Sequence, residues 1–237
     1  MSDILTIALS KGRILEQTLP LLAYAHLTPL EDVQTTRKLM VDGPMIQGVQ
    51  VRFLIIRAAD VCTYVEQGAA DMGISGRDLL LEHRPYVYEP LDLKIGCCRV
   101  CICGLKDAVE QGEPQSGSRI RVATKYDHLA ENYYLSQGIQ AEIIHLYGGM
   151  ELAPLVGMAD RIVDIVETGS TLKANGLIEE KTLYDISSRL VVNPASSATK
   201  RTLIHPIVEQ LREAIVQQSK PEETINGEHD SSGCQSS

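Results

Sequence analysis

Apolar residues recur along this chain in two rhythms. Short β-branched runs at residues 4–9, 49–56 and 70–74 read as strands, and each is followed by a stretch of helical spacing, at 14–25, 59–67 and 78–83. An extended cysteine-rich run spans 95–104, and a Gly-, Pro-, Ser- and Gln-rich loop covers 110–118. The alternation then resumes, with strands at 119–124, 141–146 and 162–166 and helices at 128–137 and 152–158. A further strand is predicted at 189–193, and Ile207, Val208, Leu211 and Ile215 place an amphipathic closing helix at 207–216. Alternating strands and helices predict an α/β architecture with largely parallel sheets. No internal repeat is present, and residues 219–237 lack apolar periodicity, so a disordered tail is expected there.

Apolar content of 44% and charged content of 22% are those of an ordinary globular protein, so composition adds a size rather than a class. At 237 residues the chain suits one large domain or two modest ones around a cleft. No run is long and apolar enough for a bilayer, and Asp3 stands where a signal peptide carries bases. A cytoplasmic protein without a membrane role is the expectation. A net charge of −9 argues against a general nucleic-acid binder but leaves nucleotide chemistry open, because local cations can hold phosphates on an acidic protein.

The most informative stretch is residues 151–175. The strand at 162–166 carries one acid, Asp164, and runs into Thr168, Gly169, Ser170 and Thr171 at a helix start. A hydroxyl-rich turn at a helix N-terminus offers free backbone N–H groups to a phosphate, and Gly169 permits close approach. An ordinary strand-to-helix turn with a Ser or Thr N-cap has the same composition. Asp164 favours the ligand reading: a carboxylate on an apolar strand needs a partner, and sugar hydroxyls at the strand end supply one. Asp160 and Glu167, which flank the strand, are read as solvated.

Cations cluster where α/β sheets bind ligands, at strand ends and loop starts. Lys11 and Arg13 follow the first strand, Arg57 follows the strand ending at Ile56, and Arg37 and Lys38 are adjacent in a polar loop. Asp71-Met-Gly73-Ile-Ser75-Gly76-Arg77-Asp78 forms a second strand, glycine turn and helix start, open to a second ligand. Dinucleotide fingerprint, P-loop, zinc-protease and serine-hydrolase motifs are all absent. Cys97, Cys98, Cys101 and Cys103 are compatible with metal ligation. Alternation, however, puts Cys97, Cys101 and Cys103 on one face and Cys98 on the other, which suits a buried strand better. The six histidines are scattered and read as structural or surface residues.

Four segments, in order along the chain, resemble the short form of ATP phosphoribosyltransferase. They are Ala8-Leu-Ser-Lys11-Gly-Arg13; the run from Arg57 to Glu66 leading into 71–78; Arg121-Val-Ala-Thr-Lys125-Tyr126; and 151–175. Together they cover about residues 3–215, and the last is the most specific. One departure is Gly149, where the family pattern leads us to expect serine. The resemblance is to the short form because only a polar tail stands where long-form members carry a regulatory domain.

The resemblance implies two periplasmic-binding-protein-like (type II) α/β domains with the active site in the cleft between them. Residues 1–94 with 181–218 would form the first and 95–180 the second. It implies the first step of histidine biosynthesis, in which N1 of ATP's adenine displaces pyrophosphate from C1 of phosphoribosyl pyrophosphate. On this sequence Lys11, Arg13, Arg37 and Lys38 would be the catalytic cations. Glu151, Asp164, Thr168, Gly169, Ser170, Thr171 and Leu172 would hold the sugar phosphate. Arg57, Gly73, Ser75, Gly76 and Asp78 would complete the substrate-binding set on the nucleotide side. Mg²⁺ would bind through substrate phosphates and not through a protein cage. The implied assembly is a homodimer alone and a hetero-octamer with a regulatory subunit resembling histidyl-tRNA synthetase. A non-catalytic small-molecule-binding protein with the same cleft is the rival reading. A common-type phosphoribosyltransferase is a second rival, but it places two adjacent acids before its phosphate turn, whereas Asp164 and Glu167 are separated.

Overall fold

Strand β1 (Ile4–Ser10) alternates its apolar residues to the two faces of a sheet, and Gly12, with φ of +98°, then turns the chain into α1 (Arg13–Tyr24). A computed structural model describes residues 4–112 and 114–218, so the expected tail at 219–237 lies outside the described residues. The chain continues through β2 (Met40–Ile46), β3 (Val49–Ile56), a 3-10 turn (Ala58–Asp60), α2 (Val61–Glu66), β4 (Met72–Gly76), α3 (Arg77–His83) and β5 (Tyr88–Asp92). With β11 (Ser188–Val192) these strands form a six-stranded sheet in the order β2-β3-β1-β4-β11-β5.

The middle of the chain builds a second sheet. Its elements are β6 (Cys98–Leu105), α4 (Lys106–Glu110), β7 (Arg119–Thr124), α5 (Asp127–Ser136), β8 (Gln140–His145), α6 (Leu152–Leu155), β9 (Arg161–Val166), α7 (Ser170–Ala174) and β10 (Leu177–Ile186). They pair in the order β10-β6-β9-β7-β8. Helices α8 (Pro194–Thr199) and α9 (Arg201–Gln218) return to the first sheet. Four apolar clusters, one on each face of each sheet, form the cores of two lobes.

Two expectations change. The sheets are mixed, not largely parallel: β1 runs parallel to β3 and β4, and β7 to β8 and β9, while β2, β5, β6, β10 and β11 pair antiparallel. Residues 181–186, assigned from sequence to the first domain, continue β10 in the second sheet, where Thr182, Tyr184 and Ile186 pair with Cys101, Val100 and Cys98. The chain therefore crosses between sheets at residues 93–97 and again at Ser187. The cysteine-rich run is β6, as its alternation indicated: Cys101 and Cys103 pack in one core and Cys98 against the other.

A buried polar knot docks the closing helices. Asp71 accepts bonds from the Thr6 N–H (2.8 Å), Ser196 Oγ (2.6 Å) and Lys200 Nζ (2.8 Å), tying β1, β4, α8 and α9 together. Gly73 sits where α2 presses on β4; a Cβ there would lie 2.8 Å from Val61 and 2.9 Å from Val65. Gly73→Ala should therefore lower stability by about 1–3 kcal/mol through overpacking. Urea unfolding measures this, and an unchanged midpoint would show that the α2 contact yields without cost.

Candidate active site

Parallel register brings the predicted cations to one edge. Ser10 pairs with Ile56 and Ala8 with Gly73, so the residues after β1, β3 and β4 emerge side by side. Lys11 and Arg57 line one cavity of about 560 Å³ together with Leu39 and Asp60. Lys11 Nζ donates to the Thr36 carbonyl oxygen (2.8 Å), which ties the loop carrying Arg37 and Lys38 to the same edge. Lys38 is paired with Glu31 (2.5 Å), whereas exposed Arg37 has no ion pair among the described residues.

In the second lobe, β9 brings Asp164 to the turn that leads into α7. Asp164 shares a face with Ile162 and Val166, which belong to the core containing Met150, Ala153 and Leu172. Glu151, Asp164 and residues 167–172 line a cavity of about 280 Å³. Gly169 has φ +74° and caps α7, while the Thr168 and Ser170 hydroxyls lie 3.0 Å apart. The five-residue α7 supplies only a small dipole, so an anion here relies on these hydroxyls and on first-turn N–H groups without intrahelical acceptors. The Gly149 departure has a backbone explanation: its φ of +64° is left-handed, which serine adopts only under strain.

Burial raises the Asp164 pKa, and Lys125 opposes that shift; Lys125 Nζ stands 3.6 Å from Asp164 Oδ1. Sequence reading quoted Lys125 within a matched segment but gave it no role. The register contained the signal: Thr124 pairs with Val163, so the next residues, Lys125 and Asp164, stand opposite each other.

Asp160 and Glu167, read as solvated, are indeed exposed, but each is committed to a cation. Asp160 takes Arg121 (2.8 Å), and Glu167 takes Arg13 across the two lobes. Glu167 lines both the cavity with Asp164 and a second cavity of about 520 Å³ between the lobes, where Arg77, Lys94, Arg99 and Arg189 also converge.

Gly73, Ser75, Gly76 and Asp78 are not gathered as an open ligand surface. All four are buried; Gly73 accommodates α2, and the Cys62 thiol donates to Ser75 Oγ at 3.1 Å. Gly76 leaves room for the Asp78 carboxylate, which accepts the Tyr126 hydroxyl at 2.7 Å from the other lobe. Burial first, and then Asp78, push the Tyr126 phenol far above its ordinary pKa, so it remains a donor. A cavity of about 820 Å³ between residues 88–90 and α9 contains none of the predicted site residues.

Two α/β lobes joined by two crossings, with a hydroxyl-rich turn at the end of β9 and cations at the ends of β1 and β3, define a type II periplasmic-binding-protein-like fold. The family model for ATP phosphoribosyltransferase (HisG) matches residues 57–213. The ATP phosphoribosyltransferases of Hahella chejuensis and Marinobacter nauticus are 52% and 54% identical over 91% of this chain, covering 99% and 97% of their own lengths. A solved ATP phosphoribosyl transferase (HisG:HisZ) complex from Thermotoga maritima superposes with a TM-score of 0.76 at 32% identity, over 90% of this chain and 99% of that one. A periplasmic sulfonate-binding protein from Methylobacillus flagellatus matches at TM-score 0.60 and 12% identity over 93% of this chain and 70% of that one, a likeness of fold alone. The chain belongs to the ATP phosphoribosyltransferase family. It is thus a pentosyltransferase of the first step of histidine biosynthesis, and the non-catalytic binding-protein reading is not favoured.

The Arg13–Glu167 pair yields a direct test. Glu167→Gln frees Arg13 and should tighten inorganic pyrophosphate binding by about two- to fivefold at low salt, the worth of an exposed ion pair. Titration calorimetry measures this; weaker binding would remove Arg13 from the anion-binding groups.

Proposed function

We propose that the cavity formed by Glu151, Asp164 and residues 168–172 receives the phosphoribosyl end of phosphoribosyl pyrophosphate, and that Lys11, Arg13, Arg37, Lys38 and Arg57 face its pyrophosphate and the ATP phosphates. One observation carries this reading: acceptor carboxylates and a hydroxyl and amide cradle share a single cavity, with a cation of the other lobe at its rim. The Thr168, Ser170 and Thr171 hydroxyls and the turn amides suit the 5-phosphate, and the acids suit the ribose hydroxyls.

The chemistry fits these groups. Adenine N1 is a neutral nucleophile whose lone pair forms the new bond to C1 as the C1–O bond to pyrophosphate breaks. No strong general base is needed for that attack. The barrier lies in releasing a highly charged leaving group while positive charge builds on the ribose, and preorganised cations lower it. Among the described residues no group of three or more His, Cys, Asp and Glu side chains could cage a metal. We infer that Mg²⁺ enters with the substrate, chelated by pyrophosphate, where it would neutralise leaving-group charge.

We further infer a HisZ-like regulatory partner, forming a hetero-octamer with this chain, and a homodimer in its absence. The HisG:HisZ complex from Thermotoga maritima supports a partner of that kind. No helix among the described residues is long and apolar enough to cross a membrane. The cytoplasm, where both substrates are metabolites, is the proposed location.

Incubation with ATP, phosphoribosyl pyrophosphate and Mg²⁺, with and without the partner, should produce the ultraviolet absorbance of an N1-substituted adenine. Arg13→Ala and Arg37→Ala should lower kcat, on the order of 10²-fold for the loss of one transition-state donor, more than they weaken nucleotide affinity. Unchanged kcat in both would refute the cation assignment.

A further inference from the structure

The corner after β7 links the sugar site to the opposite lobe. Thr124 is fully buried; its Oγ1 donates to the Val163 carbonyl oxygen at 2.6 Å and accepts the Tyr126 N–H at 2.8 Å. That double anchor locks the backbone of Lys125 against β9. The Lys125 ammonium lies 5.0 Å from the centroid of the Tyr126 ring on one side and 3.6 Å from Asp164 on the other. Tyr126, itself 1% exposed, reaches into the first lobe to donate to Asp78. The same helix α3 also sends Glu82 to accept the N–H groups of His128 and Leu129, at 2.9 and 3.0 Å, at the start of α5. The corner holding Lys125 is thus clamped by two carboxylates of the first lobe.

We propose that Lys125 is a positioning residue for Asp164, and that the Asp78–Tyr126 hydrogen bond makes its placement depend on the docking of the two lobes. The inference rests on the reading of Asp164 as the acceptor of ribose hydroxyls. A carboxylate accepts them with both oxygens only when ionised; protonation turns one oxygen into a donor and weakens the other as an acceptor. Burial opposes its ionisation, and Glu151, at the start of α6, adds like charge, while the Ile165 N–H, 2.8 Å from Asp164 Oδ1, favours the charged form. Residues 168–171, from the turn into α7, contribute no side-chain charge. Lys125 is the cation that offsets these effects, and the Tyr126 ring holds it where it does so.

The test is phosphoribosyl pyrophosphate affinity, by isothermal titration, as a function of pH. Removing a cation at this distance raises a carboxylate pKa, so Asp164 becomes protonated at higher pH. In Lys125→Gln the acid limb of the binding curve should therefore move upward by about one pH unit. Lys125→Arg should restore it, and Tyr126→Phe, which keeps the ring, should move it in the same direction by less. If Lys125→Gln weakens binding equally at every pH, Lys125 touches a phosphate directly and the positioning role is overturned. A Tyr126→Phe limb that coincides with the wild type removes the inter-lobe part. Asp164→Asn serves as the separate arm. If it binds as tightly as the wild type, the reading of the sugar site itself fails. If it weakens binding while the Lys125 variants do nothing, only the present inference fails.

Discussion

The polypeptide passes between its sheets only at residues 93–97 and at Ser187, so the cleft depends on the side chains that span the lobes. Those contacts are unequal. The Asp78–Tyr126 bond joins a carboxylate and a phenol that are 7% and 1% exposed, and a hydrogen bond to a charged group is worth about 1.5–3 kcal/mol. The Arg13–Glu167 pair joins side chains that are 42% and 52% exposed, a setting in which pairs are worth about 0.2–1 kcal/mol. Removing one partner of the buried bond strands the other in the interior, whereas water replaces either partner at the cleft mouth. The fold thus has an anchor at α3–α5 and a weak latch at the cavity lined by Asp164 and residues 167–172. The latch is the contact that a polyanionic substrate can exchange.

That inequality explains why part of the site was legible in sequence and part was not. Residues 162–171 declared themselves because a lone acid on a β-branched strand and a hydroxyl-rich turn are local signals, and both survive folding unchanged. Lys11, Arg13 and Arg57 were legible for a related reason: the end of a parallel strand is a position that sequence can mark. Lys125 was hidden because its partner is 39 residues away and becomes its neighbour only through register. Asp78 and Ser75 misled because a glycine turn looks alike whether it opens to solvent or receives a packed helix. The deciding contacts come from Tyr126 in the other lobe and Cys62 on α2.

The unread elements share a cause. β2 contains Gly43 and Pro44 at a register shift between Asp42 and Met45, and β5 contains Pro90 on the sheet edge. Both proline positions are ones that edge strands and bulges tolerate and that sequence patterns count against a strand. β10 carries Glu179, Glu180, Lys181 and Asp185 and has two register shifts of its own, which break its alternation. Missing that strand displaced the return to the first sheet by six residues. Every register shift falls in an antiparallel pair, and the parallel pairs are regular.

An acidic chain that binds polyanions needs cations that are held in place without being used up. Among the described residues, Arg13 is held by Glu167, Lys38 by Glu31 and Lys125 by Asp164, each in a pair at least partly open to water. Such pairs fix the direction of a long side chain at little net energy. A phosphate presents more acceptor oxygens than a carboxylate and bonds an arginine in two-pronged fashion, so it can replace Glu167 on Arg13 without the cation becoming unpaired at either stage. The acids around the site thus organise the cations in the unliganded protein. A net charge of −9 and a pyrophosphate-releasing active site are compatible for this reason.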